Sequence, residues 1–242
     1  MITLYGLGAG FGLPEISPFV TKTEVQLKMA GLAYRKHRAM PMESPKGQLP
    51  FIDDDGERIA DSSFIRVHIE RKYGFDFDAG LEPLQRAQMW ACERMIESHI
   101  YWALVGVRWT IEENFNKGPS HFFDNMPEHL RDRVREDAQF QVAQNYRLSG
   151  LGRHAPDGDI DLAMRSLESL SVQLGGKLYL AGSQPCGTDA TAFGVLAGLL
   201  TPFFESDIRQ RAMQFANLAA YVDRMMELFY PEHEALTQEQ AA

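Results

Sequence analysis

The stretch GQLPFIDDDGERIADSSFI, residues 47–65, limits what this chain can fold into. Residues 49–53 and 57–60 read as two strands, and the Asp-Asp-Gly between them is a strong signal for a tight antiparallel hairpin. Ile65 and Ile69, four apart, then begin a helix that runs to about Tyr73. Upstream, ITLY at 2–5 is a β-branched and aromatic strand. A loop with Gly6, Gly8, Gly10 and Gly12 follows it. Ser17-Pro18 then starts a helix, with Ser as N-cap and Pro at the first helical position. Phe19, Val20, Leu27 and Ala30 share a face, Gly31 stops the helix, and AYRKHRA at 33–39 is a second strand. The order β-α-β, then β-β-α, requires a parallel pair followed by an antiparallel hairpin.

A mixed four-stranded sheet with helices against it is the thioredoxin-like arrangement. It is expected over residues 1–76. Composition changes at GFDFDAGLEP, beyond which strand signals vanish. Residues 84–115 predict one long helix, with Met89, Cys92, Ile96, Ile100, Ala103, Val107 and Ile111 in a narrow stripe. Further helices are expected at 127–149, 157–175, 189–204 and 207–229, and a frayed tail at 235–242. The fold class is therefore α/β plus all-α, with the helical domain over 84–235.

Net charge and cysteine count narrow the function. A formal charge of −9 argues against a nucleic-acid grip, which needs a basic face. Two cysteines far apart, Cys92 and Cys186, fit a reducing compartment and not a disulfide framework. MITLYG lacks a basic flank, and the apolar run at 192–204 is too short to span a bilayer, so a cytoplasmic location with no membrane partner is expected. The seven histidines make no ligand spacing, so no metal is expected. A nucleotide fold fails too: three residues after Gly8 stands Phe11, not glycine.

In a thioredoxin-like frame the bond before Pro50 is expected to be cis, turning the N–H and C=O of Leu49 outward to pair with a bound peptide. Asp61-Ser62 precedes a helix whose first N–H groups and dipole suit a carboxylate, held by Ser62, while Asp61 meets an ammonium. A carboxylate beside an ammonium is the γ-glutamyl end of glutathione. Each feature alone has a plain structural use, as a cap or a strand-edge proline. Eleven residues apart in this frame, they favour binding of a peptide thiol.

These residues resemble the glutathione-binding half of the glutathione transferase superfamily, whose motif G-Q-(V/L)-P, hairpin, (E/Q/D)-S-x-x-I is met by Gly47, Gln48, Leu49, Pro50, Asp61, Ser62 and Ile65. The whole chain is similar to the failed-axon-connections/metaxin-like branch. The stretches that carry this are FGLPEISPFVTKTEVQLKMAGLAY at 11–34, RMIESHIYWALVGVRW at 94–109, GLGRHA at 150–155, TDATAFGVLAG at 188–198 and NLAAYVDRMMELFYP at 217–231. That branch includes members with little known catalysis. The resemblance implies a glutathione transferase acting on a small electrophile, with glutathione as co-substrate, and a homodimer. The alternative is a non-catalytic member that binds glutathione or a protein partner.

Such enzymes favour the thiolate through a hydroxyl near the first helix and that helix's dipole. Two hydroxyls compete: Ser17, the N-cap, and Tyr5, in the first strand; Ser17 is preferred. The Gly-rich loop is expected either to reposition Ser17 or to supply backbone N–H donors to the sulfur. Relatives of the branch often carry Cys where Val20 stands here, so no cysteine-based role is carried over. Gln48 and Lys46 are placed to meet the glycine carboxylate of glutathione. On the long helix, Trp90, Arg94, Glu97, Tyr101, Arg108 and Glu112 cluster beside the apolar stripe. That is either a solvated ion-paired face or a cleft wall, where Tyr101 and Arg108 touch the second substrate and Arg108 favours an anionic or carbonyl-bearing one. At 186–189 an N-capping box is expected to serve folding only. Cys186 would be a poor cap, and Thr188 is the alternative.

Overall fold

The computed structural model describes residues 1–233; the tail expected to fray lies outside the described residues. Strand β1 (Ile2–Gly6) pairs in parallel with β2 (Tyr34–Arg38) and antiparallel with β3 (Phe51–Asp54), which forms a hairpin with β4 (Glu57–Ala60). The sheet order is β2-β1-β3-β4. The hairpin turn is two residues, Asp55 and Gly56, both at positive φ (57° and 94°), which matches the twist of the flanking strands. Helices α1 (Pro18–Met29) and α2 (Ser62–Tyr73) cover one face. There Leu4, Ile52, Val20, Leu27, Ile65 and Ile69 form a closed cluster.

Beyond residue 80 the described residues are mainly helical. It comprises α3 (Pro83–Met95), α4 (Tyr101–Trp109), α5 (Glu112–Lys117), α6 (Glu128–Leu148), α7 (Asp157–Leu174), α8 (Gly187–Leu200), α9 (Asp207–Ala212) and α10 (Ala216–Phe229). Helix α8 is buried along its whole length and forms the centre of this domain. It packs against α1 so closely that a Cβ on Gly194 would lie 2.4 Å from the carbonyl oxygen of Pro18. Among the described residues no helix is long and apolar enough to cross a membrane.

Two helices expected to be continuous are interrupted. The run 84–115 contains one π-helical turn, Ile96–Ile100, and breaks at Thr110–Ile111. A π turn adds a residue and rotates everything after it by about 100° relative to α-helical phase. The run 207–229 breaks at 213–215. The box expected before α8 is present, with Cys186 as its N-cap and Asp189 at the third helical position. Asp189 accepts the N–H groups of Cys186 (2.8 Å) and Leu180 (3.0 Å) and the Tyr221 hydroxyl (2.9 Å), while Thr188 donates to Met89 and caps nothing.

The segment GFDFDAGLEP between the two domains is pinned. Phe77 is buried, its carbonyl accepts from Gly187 N–H at 3.0 Å, and Asp78 pairs with Arg66 at 2.6 Å. Helix α1 lies between sheet and helical domain, so its polar residues are buried as well as its apolar ones. Lys22, fully buried, pairs with Glu93 at 2.7 Å and Glu97 at 3.0 Å. Arg66 approaches Glu93 at 3.6 Å, so a continuous charged network joins the two domains.

Candidate functional site

A cleft of about 600 Å³ lies where the α/β domain meets the helical domain. One wall holds Gln48, Leu49, Pro50, Asp61 and Ser62, and the base holds Ser17. The Leu49–Pro50 bond is cis. The hairpin folds the two halves of the motif together: Phe51 pairs with Ala60, and Asp61 N–H donates to the Pro50 carbonyl at 3.1 Å.

Asp61 caps α2 by accepting the Ser63 N–H at 2.9 Å. Its φ is +84°, a conformation costly for a residue with a Cβ and found mostly where function demands it. One carboxylate oxygen is used in the cap, and the residue lines the cleft. Ser62 follows as the first helical residue, buried at the cleft wall, beside the helix N-terminus where an anion is favoured.

Ser17 caps α1, its Oγ accepting the Val20 N–H at 3.5 Å. A hydroxyl that accepts there still has its own proton to donate. The Gly-rich loop is held behind Ser17 by Glu15, which accepts N–H groups from Leu7 (3.2 Å), Gly8 (3.0 Å) and Ser17 (3.2 Å). Those donors are therefore turned to Glu15 and not to the cleft; the loop positions Ser17 and offers no N–H cradle at these three groups. Burial pushes the Glu15 carboxyl above its ordinary value, against the opposing pull of Lys36 at 3.4 Å and the three N–H groups.

Tyr5 stands elsewhere. Alternation along β1 puts Leu4 on the helix-covered face and Tyr5 on the other. The Tyr5 ring stacks on Phe51 at 4.1 Å and meets His37 edge-on at 5.2 Å. It is not among the residues lining the cleft. Lys46 is exposed, its ammonium 3.9 Å from the centre of the Phe64 ring, and it too lies off the cleft lining.

The opposite wall is helical. Arg94, Glu97, Tyr101 and Trp102 line it, with Val142 and Asn145 from α6. The sequence pattern marked Arg94, Glu97 and Tyr101, whereas the α6 residues carried no such signal. Trp90 is exposed under the Arg94 guanidinium, 4.4 Å away, and Glu112 opens α5; neither lines the cleft. Past Ser17 and Tyr101 the cleft continues into a recess of about 140 Å³. Its walls are largely apolar: Leu7, Phe11, Leu104, Trp109 and Phe122. Arg108 borders this recess, but its guanidinium is taken up by backbone carbonyls. It donates to the carbonyls of Ile16 (2.9 Å) and Gly198 (3.2 Å) and is 6% exposed. Burial lowers its pKa to about 10. Among the described residues no group of three or more His, Cys, Asp or Glu is placed to hold a metal ion.

Family models agree with this architecture. Residues 18–115 match the glutathione S-transferase N-terminal domain and residues 163–225 the glutathione S-transferase C-terminal domain. The chain belongs to the glutathione transferase superfamily. It is similar to metaxins as well: it is 24% identical over 191 residues to metaxin-2 of Homo sapiens, covering 78% of this chain and 72% of that one. It is 29% identical over 203 residues to the isoprene-epoxide–glutathione S-transferase of Rhodococcus sp. (strain AD45), covering 81% of this chain and 85% of that one. It is also 29% identical over 254 residues to failed axon connections of Drosophila melanogaster, covering 98% of this chain and 60% of the fly protein. Among solved structures, the beta-etherase LigF of Sphingobium sp. strain SYK-6 superposes with a TM-score of 0.66 at 17% identity, covering 98% and 99% of the two chains, which speaks to fold alone.

Proposed function

We propose that this transferase-superfamily protein transfers the thiolate of glutathione to a small, uncharged, apolar electrophile, with epoxides the foremost class. The observation that carries this is the placement of Ser17. Its hydroxyl stands at the helix α1 N-terminus, between the Pro50–Asp61–Ser62 wall and the apolar recess. The relative named for an isoprene epoxide supports the choice of electrophile, as does the modest volume of the recess.

In this reading the γ-glutamyl carboxylate sits at Ser62 and the first turn of α2, and its ammonium meets Asp61. The cysteinyl backbone pairs with the N–H and C=O of Leu49, and Gln48, with Lys46 at the margin, meets the glycine carboxylate. The sulfur then lies beside Ser17, whose hydroxyl donates to it while the α1 dipole favours its negative charge. The thiolate attacks an epoxide carbon, that carbon's bond to oxygen breaks, and the resulting alkoxide takes a proton. Tyr101 borders both cleft and recess, and burial keeps its phenol protonated above its ordinary range, so it can donate to that oxygen. Because both terminal nitrogens of Arg108 are committed to backbone carbonyls, the preference for an anionic electrophile expected from sequence is set aside. A homodimer is retained from the family resemblance, and sedimentation would test it.

A binding-only role has one observation in its favour: the Glu15 carboxylate lies next to the place given to the thiolate and takes three nearby N–H groups. A screen of small epoxides and 1-chloro-2,4-dinitrobenzene against the wild type and Ser17→Ala separates the two. Turnover lost in Ser17→Ala with glutathione binding kept supports the transferase. Glutathione binding without turnover of any electrophile supports the binding role.

A further inference from the structure

The Gly-rich loop carries one residue that its own geometry does not favour. Gly10 and Leu13 exchange both backbone hydrogen bonds at 3.0 Å, so Phe11 and Gly12 form a two-residue turn. Both have positive φ, 58° and 71°. Such a turn ordinarily takes Asn, Asp or Gly at its first position, and a bulky residue there carries backbone strain. Strain of this kind persists only where the surrounding structure enforces it, and it gathers at functional positions.

The residues that hold Phe11 come from the helical domain. Its carbonyl accepts from the Thr201 hydroxyl at 2.7 Å. Its ring meets Phe203 at 5.1 Å and Phe204 edge-on at 4.9 Å, with the Arg108 guanidinium 5.5 Å from its centre. Gly118 closes the clamp: a Cβ there would lie 3.1 Å from the Phe11 ring and 2.8 Å from that of Phe204. The ring therefore has a fixed place.

That place is the recess beside Ser17. Leu7, Ser17 and Tyr101 line both the cleft and the recess and form the mouth between them. Phe11, Trp109 and Phe122 line the recess alone. Their rings run in sequence as one aromatic wall, Phe11 to Phe122 at 5.8 Å and Phe122 to Trp109 at 6.2 Å. The enclosed volume is about 140 Å³. An apolar cavity of about 150 Å³ holds one benzene molecule.

We infer that Phe11 is a specificity-determining residue: its clamped ring, with Phe122, limits the group joined to the glutathione sulfur to a body no larger than one six-membered ring. The inference rests on the proposal that glutathione binds in the cleft with its sulfur beside Ser17. A larger ring system would have to displace the Phe11 ring, and Gly118 and the Phe203–Phe204 pair leave no room for that. Removing the Phe11 side chain opens the wall from the loop side, because the residues of the clamp belong to the helical domain. If Phe11 served only to anchor the loop, its removal would leave the size preference where it was.

The test is calorimetric titration of the whole protein with glutathione, S-benzylglutathione and S-(2-naphthylmethyl)glutathione, the last two carrying one ring and two fused rings on the sulfur. Apolar area alone favours the naphthyl group. The wild type is expected to invert that order and bind the benzyl conjugate at least tenfold more tightly. That ratio should fall at least tenfold in Phe11→Gly, which suits the turn and removes the ring, and in Phe122→Ala, which opens the same wall from the other side. Three results would overturn the inference and leave the cleft reading standing: equal or tighter wild-type binding of the naphthylmethyl conjugate, binding of glutathione but not of the benzyl conjugate, or an unchanged ratio in Phe11→Gly. No binding of glutathione or of either conjugate would overturn the cleft reading and this inference with it. The wild-type comparison needs no variant and so does not depend on the fold tolerating a substitution.

Discussion

The N–H of Asp61 donates to the carbonyl of Pro50 at 3.1 Å, and this one bond ties the peptide-pairing loop to the cap of α2. The eleven-residue spacing between them is the length of a hairpin whose ends must meet. Asp61 therefore serves three ends: it closes the hairpin, caps the helix through Ser63 and lines the cleft.

These roles separate by substitution. Asp61→Gly relieves the positive φ and keeps the hairpin bond, so stability should change by less than about 1 kcal/mol. Asp61→Ala loses the cap and keeps the strain, and should cost about 1–2 kcal/mol. Both should weaken glutathione binding about tenfold by removing the partner of its ammonium, an effect of about 1.4 kcal/mol. Thermal unfolding and calorimetry read the two effects independently.

Lys22 joins the domains from a fully buried position. Lys22→Met should destabilise the protein by about 3 kcal/mol, because it leaves Glu93 buried beside less positive charge. The double variant Lys22→Met, Glu93→Leu should recover much of that loss. Urea unfolding of the two variants checks this.

The same pair sets part of the acid response. Burial pushes the Glu93 carboxyl up, but Lys22, Arg66 and Arg94 outweigh it, and the net pKa is below the ordinary 4.5. A group whose pKa is depressed on folding contributes stability that is complete above its unfolded value and lost as pH falls through the folded one. Stability should therefore decline below about pH 4.5, and Glu93→Gln should flatten that decline. Equilibrium unfolding at stepped pH from 7 to 3 measures it.

Ser17 and Tyr5 differ in what their loss removes. Ser17→Ala should lower turnover at least tenfold, about 1.4 kcal/mol in the barrier, while glutathione affinity stays within about twofold. Tyr5→Phe should leave both unchanged, since the stacked ring is kept. A loss of turnover in Tyr5→Phe alone would move the thiol-activating role to the tyrosine.

Local signals made the hairpin, the caps and the motif halves legible, because turn residues and caps act within a few positions of themselves. Tyr5 was harder: alternation says which residues share a face, but only the packed helices say which face is covered. The π turn at 96–100 has no local breaker to betray it, and the backbone carbonyls of Ile16 and Gly198 that take up the Arg108 guanidinium lie some 90 residues away in the chain. Lys22 reads as solvated on any helical wheel. Its burial follows from α8 covering the far side of α1, a contact made some 170 residues downstream.

The measurement that tests the account most directly is glutathione binding by calorimetry, wild type beside Ser62→Ala. Binding in the micromolar to low-millimolar range is expected for the wild type, weakened about tenfold or more in the variant. No binding by the wild type, or equal binding by both, would contradict the placement of the γ-glutamyl group at the Asp61–Ser62 corner.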